Sequence, residues 1–157
     1  MKRHQQLQPL SRQHHNGLLA ALLLKKGMAK AADANVMTAF IIDFWNNDLK
    51  EHFENEEQFL IPALPDTFDK NLNAQLLQEH AQLRTYVDAL KNDPADIFTI
   101  ENFTALLEKH IRFEERIYFP EAEKILSEEQ LQKIGEQLKD EEGENCINYP
   151  VKFWEQD

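Results

Sequence analysis

His52-Phe53-Glu54-Asn55-Glu56-Glu57-Gln58-Phe59-Leu60-Ile61-Pro62 and His110-Ile111-Arg112-Phe113-Glu114-Glu115-Arg116-Ile117-Tyr118-Phe119-Pro120 share one pattern, H-x-x-x-E-E-x-x-x-x-P. A helix turns about every 3.6 residues, so a His and a Glu four apart stand on one face, within reach of a common partner. Each stretch also continues an apolar seam. Trp45, Leu49, His52, Glu56 and Phe59 recur at steps of four, three, four and three, and Phe103, Leu107, His110, Glu114 and Ile117 repeat those steps. Such spacing marks the buried seam of packed helices. Leu76, His80, Leu83, Val87 and Leu90 form a third seam, again with a histidine among apolar residues. These histidines are expected to point inward.

Working outward, the helix signals divide the chain. Ser11, just after Pro9, is the expected N-cap of a first helix reaching about Lys30, with Gly27 in its last turns. Asp33 caps a second helix to about Phe59, where Ile61-Pro62-Ala63-Leu64-Pro65 breaks the pattern. A third runs from about Lys70 to about Lys91 and ends at Asn92-Asp93-Pro94. Thr99 caps a fourth that reaches Pro120 or a turn beyond, and Ser127 with Gln130 forms a capping box for a short fifth. With few Gly and Pro and no alternating β-branched run, the expected fold is all-α. It is an antiparallel four-helix bundle over about 10–125, a fifth helix over about 127–142 and a tail over 143–157, all in a single domain. Tyr149, Phe153 and Trp154 are expected to dock the tail on its own bundle; docking on a second subunit, as in a homodimer, is the alternative. Asp140-Glu141-Glu142-Gly143-Glu144 reads as a solvated helix end.

At 157 residues the chain can close one apolar core without disulfides. Its 28 acidic against 17 basic residues give a net charge of -11, which repels phosphate backbones and anionic lipid. No nucleic-acid or membrane partner is expected. The first residues lack the apolar stretch of a signal peptide, and no apolar run is long enough to span a membrane. Cys146 is the only cysteine, so there is no intrachain disulfide and no thiolate cluster; a cytoplasmic location is expected. Its acidic neighbours disfavour the thiolate, so a redox role is not expected.

The chemistry lies in the histidines and glutamates. Upstream of each H-x-x-x-E stands a further histidine: His15, followed by Leu18 and Leu22, and His80, followed by Leu83 and Val87. An antiparallel bundle brings His15, His52, Glu56, His80, His110 and Glu114 toward one level of the core. Any one inward histidine is by default a hydrogen-bonded core residue. Four at matched positions with two paired glutamates are not covered by that default. Two carboxylates in an apolar seam need partners, and no Lys or Arg lies on those faces. A pair of cations, bridged by carboxylates with imidazoles terminal, satisfies all six side chains. Nitrogen and oxygen donors without sulfur suit iron, manganese or zinc. Two iron ions are expected, with manganese or zinc as lesser candidates, and mononuclear zinc would leave ligands unused. His14 is the alternative to His15, since neighbours differ by only about 100° around a helix. Glu57 and Glu115 are read as solvated groups or as partners of ligands, Tyr118 as packed with its hydroxyl at the rim, and His4 as a mobile terminal residue.

These residues resemble the haemerythrin-like, HHE cation-binding domains, whose pattern is H, H-x-x-x-E, H and H-x-x-x-E along an up-down four-helix bundle. The resemblance covers about residues 10–125. It implies a non-haem di-iron centre bridged by Glu56 and Glu114, with terminal His15, His52, His80 and His110. Oxygen-carrying members have a second histidine one turn after the one on the third helix, where this chain has Arg84. They also place an aspartate five residues after the last histidine, whereas here Glu114 stands at four and Glu115 at five. The resemblance therefore points away from oxygen carriage and toward members that bind or sense oxygen, nitric oxide or peroxide, or handle iron. A di-iron oxidoreductase of stress repair and a metal-free structural bundle are the competing readings. A ferritin-like oxidase is disfavoured, since that architecture uses Glu-x-x-His at three-residue spacing.

Overall fold

A computed structural model describes residues 2–138 and 145–155. The described residues contain helices and no strand, as the composition and periodicity require. After a 3-10 turn (Gln5–Leu7), α1 (Gln8–Ala29) begins with Pro9 in its first turn, where the missing amide costs nothing. Ser11 therefore lies inside the helix and is not its cap. His4 is held in place: its Nδ1 accepts from the Gln6 amide, and its Nε2 lies 3.0 Å from Glu128. Ala31 closes α1 in the left-handed region (φ 55), while the Ala32 amide donates to the Gly27 carbonyl at 2.9 Å.

The second helical stretch opens on Asp33, whose side chain accepts from the Asn35 amide. It runs through α2 (Ala34–Phe44), a π turn (Trp45–Leu49), α3 (Lys50–Asn55), a second π turn (Glu56–Leu60) and a 3-10 turn (Ile61–Ala63). α4 (Lys70–Asn92) is capped by Asp69. α5 (Ile97–Phe113) continues through a third π turn (Glu114–Tyr118) into α6 (Phe119–Ile125). Its cap is Asp96, not Thr99. The Asp96 carboxylate accepts from the amides of Phe98 and Thr99 and from the Thr99 hydroxyl, so Thr99 is drawn into the first turn. α7 (Glu128–Gln137) starts at the expected Ser127/Gln130 capping box. The remainder of the expected fifth helix, and the acidic stretch that ends it, fall on residues 139–144, outside the described residues.

α5 packs against both α1 and α4, and α2 packs against α4 and α5. α1 approaches α5 closely at Gly17, where a Cβ would stand 2.6 Å from Cδ1 of Ile111. Among the described residues, the buried apolar side chains form two clusters. One includes Leu24, Phe40, Phe53, Leu83, Val87, Phe103 and Leu107; the other includes Leu10, Leu60, Leu76, Tyr118, Phe119 and Ile134. Along α1 and α4 the buried histidine lies between residues of the two clusters, and along the other two stretches the buried glutamate does. The tail packs on its own bundle: Phe153 and Trp154 are buried, and Phe153 occupies the space that a Cβ at Gly27 would need. Among the described residues no helix is long and apolar enough to cross a membrane.

Candidate metal centre

His52 and His110 lie in the last turn of α3 and of α5, each followed by a π turn that Glu56 or Glu114 opens. A π turn closes its hydrogen bond at i→i+5 and so carries one more residue per loop than an α turn. The seam therefore slips by one position beyond each glutamate. Leu60 is buried in place of the expected Phe59, and Tyr118 is buried while Ile117 is 48% exposed. Upstream of the slip the expected register is found.

His14, His52, Glu56, His80, His110 and Glu114 are all buried. The first-helix member differs from the expectation. His15 is exposed, and His14 is the α1 imidazole that enters the cluster. The leucines that follow His15 do not mark the buried face of α1: Leu22 is 47% exposed and Leu18 is only partly buried. The inward row is Leu10, His14, Gly17, Ala21 and Leu24, kept narrow by the close packing of α1 on α5.

Two groups share both glutamates: His14, His52, Glu56 and Glu114, and Glu56, His80, His110 and Glu114. Within each, one ligand atom per residue lies within 4.8 Å of the others. Nε2 of His80 stands 3.2 Å from Oε1 of Glu56 and 3.6 Å from Oε1 of Glu114. Nε2 of His52 is 3.4 Å from Oε1 of Glu56, and Nε2 of His14 is 3.4 Å from Oε2 of Glu114. His110 Nε2 contacts Glu114 Oε1. The Nε2 atoms of His14 and His52 face each other at 3.0 Å.

The outer edge of each ring is braced. Nδ1 of His14 meets Glu115 at 3.2 Å, that of His80 meets Glu57 at 2.6 Å, and that of His110 meets Glu79 at 2.8 Å. Nδ1 of His52 donates to the side-chain oxygen of Gln13 at 2.6 Å. With Nδ1 engaged outward, each ring turns Nε2 toward the centre, the orientation that metal-ligating histidines adopt. Glu57 is held in turn by Arg84 at 2.8 Å, and Glu115 by Arg3 at 3.1 Å and by the Ser11 hydroxyl at 3.0 Å. Glu57 and Glu115 are thus partners of the histidines, one of the two roles read for them in the sequence. Glu79, Gln13 and Arg3 join the site without lying in any of the motifs above. The pairs Gln13-His14 and Glu79-His80 were the available signal, each putting a polar residue just before an inward histidine.

The electrostatics show what the cluster lacks. Both side-chain oxygens of Glu56 and of Glu114, and Nε2 of His80 and His110, are buried without a hydrogen-bond partner. Burial, and then the negative charge of Glu114, push the Glu56 carboxyl well above the ordinary range. Burial works the same way on Glu114, but the opposing charge of His110 and contacts with His14 hold it well below that range. Burial disfavours protonated His110, yet Glu114 and Glu79 outweigh it and raise its pKa to about 9. For His14, burial is likewise overcome by the carboxylates of Glu114 and Glu115, which raise it. His52, braced by a neutral amide, is lowered well below its usual value by burial and by the neighbouring His14. The two buried carboxylates thus draw positive charge toward the centre while their oxygens stay without hydrogen-bond partners, and since an unpaired buried ion costs several kcal/mol, the cluster fits cations as its partners.

Tyr118 is fully buried and not at the rim, its hydroxyl donating to the side-chain oxygen of Asn73 at 2.6 Å. Burial pushes the Cys146 thiol up to about 12, with Asp48 adding to the shift, in keeping with an unreactive cysteine.

Fold and site together define a helical cation-binding domain. The Hemerythrin HHE cation binding domain model matches residues 7–122, and the chain belongs to that family. No curated protein and no solved structure matches the chain.

Proposed function

We propose that the chain is a di-iron protein that binds or senses a small oxidant or gas: oxygen, nitric oxide or peroxide. The observation that carries this reading is the sharing of Glu56 and Glu114, whose buried carboxylate oxygens have no hydrogen-bond partner, by two groups of buried histidines. In it, Glu56 and Glu114 would serve both cations, His14 and His52 would hold one, and His80 and His110 would hold the other, within an up-down bundle. An all nitrogen and oxygen donor set favours iron over metals that select thiolate. Each position has only two imidazoles besides the shared carboxylates, which leaves room for an exogenous ligand. When bound, the iron pair supplies redox-active Lewis acids at which a small oxidant can coordinate.

The protein's part is to orient and to exclude. Glu115, Gln13, Glu57 and Glu79 fix the ring orientations, and the apolar clusters on either side keep bulk water from the centre. Arg84, at the position of the further histidine in oxygen carriers, pairs with Glu57 and so braces His80 instead of adding a ligand. This favours sensing or reaction over reversible carriage.

The test is to load the protein anaerobically with ferrous iron, oxidise it, and record absorbance before and after adding azide or nitric oxide. Shifted visible bands are expected. Bound iron whose spectrum responds to neither would contradict the exogenous-ligand reading, and sustained turnover of peroxide with a reductant would favour an enzyme.

A further inference from the structure

The two cation positions are built from repeated parts that differ at one brace. Gln13 precedes His14 and accepts from His52, and Glu79 precedes His80 and accepts from His110. The cross-braces match: Glu115 follows Glu114 and meets His14, and Glu57 follows Glu56 and meets His80. An ionised acceptor makes a hydrogen bond roughly twice as strong as a neutral one. It also draws the Nδ1 proton outward and makes the opposite nitrogen a better donor to a metal. Glu79 is itself buried and oriented by the Gln75 amide at 3.2 Å. At the other end the corresponding brace is the uncharged amide of Gln13, while the cross-braces Glu57 and Glu115 are each shared with an arginine.

Resting on the reading of this centre as two cation positions, we infer that they are unequal and fill in order, the His80/His110 position before the His14/His52 position. Glu79 is the positioning residue that sets the order, and Gln13 is its weaker counterpart. Mutual repulsion between cations would by itself separate two binding steps, so the distinguishing content is which end fills first.

The measurement is anaerobic calorimetric titration of metal-free protein with ferrous iron. The wild-type protein is expected to bind in two steps. Glu79→Gln should weaken the first step by about 10- to 100-fold, the usual effect of losing a carboxylate behind a ligating histidine. Gln13→Glu should tighten the second step and leave the first unchanged. His52→Ala should retain the tight step and His110→Ala only the weak one, with those outcomes exchanged in the background of Gln13→Glu with Glu79→Gln. The melting temperature of metal-free Glu79→Gln reports any structural effect separately. The order is overturned if Glu79→Gln leaves both steps unchanged, or if His110→Ala keeps the tight step. Absence of iron binding by the wild-type protein would instead overturn the metal-centre reading beneath it.

Discussion

Along the chain the residues of the centre come in two halves, Gln13, His14, His52, Glu56 and Glu57 and then Glu79, His80, His110, Glu114 and Glu115, which interleave in space through Glu57 on His80 and Glu115 on His14. Each residue of the first half has a counterpart in the second. The inward row of α1, Leu10, His14, Gly17, Ala21 and Leu24, follows the same steps as Leu76, His80, Leu83, Val87 and Leu90 of α4. The H-x-x-x-E stretches each run into a π turn at the glutamate. What differs lies around the donors: an amide against a carboxylate behind the second histidine, Arg3 with Ser11 against Arg84 around the cross-brace, and small against large apolar residues in the seam. The first half also has an extra π turn at Trp45–Leu49, where α5 is unbroken. The repeat sets which atoms point inward, and the surroundings set how strongly they hold.

The largest effect should come from what the halves share. Glu56→Ala or Glu114→Ala removes an oxygen pair from both positions and is expected to abolish binding of both cations, read by metal analysis after reconstitution. Retention of one full equivalent would break the bridging assignment. His110→Ala touches one half. It should lower iron content and remove much of the extra stability that bound metal gives, about 3 kcal/mol at iron a hundredfold above its dissociation constant. His52→Ala should remove less. Equal losses, in melts with and without iron, would erase the proposed inequality.

Asp48 belongs to the extra π turn. Burial, with the nearby Asp43 charge, raises its pKa to about 6. An acid raised on folding stabilises the protein fully below its unfolded pKa, near 3.8, and that contribution is lost as pH rises through about 6. Asp48→Asn should therefore stabilise the protein at pH 7 to 8, by no more than about 1 kcal/mol after solvent screening. The gain should fade as pH falls from about 6 toward 4. A gain independent of pH would remove the electrostatic cause. His15→Ala, on the exposed row, is the smallest: stability within about 0.5 kcal/mol of wild type and unchanged metal content. His14→Ala should lose metal, and the reverse pattern would restore His15 to the site.

Much of this centre was legible because its donors recur at helical spacing: both H-x-x-x-E pairs and His80 sit in seams that the sequence displays directly. The first helix misled because leucines are a poor guide to the buried face when two helices meet closely. There the small residues Gly17, Ala20 and Ala21 are among the buried positions, and Leu22 is left outside. The slip from Phe59 to Leu60 and from Ile117 to Tyr118 follows from π turns, which an α-helical repeat does not contain. Asp96 capped α5 because its carboxylate accepts from both backbone amides and the Thr99 hydroxyl. Arg3 reaches Glu115 from a distant segment, which spacing along one helix does not reveal.

Iron content is the most direct measure of the central claim. The protein should be purified without chelator, then reconstituted anaerobically with ferrous iron and freed of excess. Two irons per chain are expected, one for each of the two donor groups, falling to none in Glu56→Ala. A wild-type chain that stays close to zero after reconstitution would contradict the account.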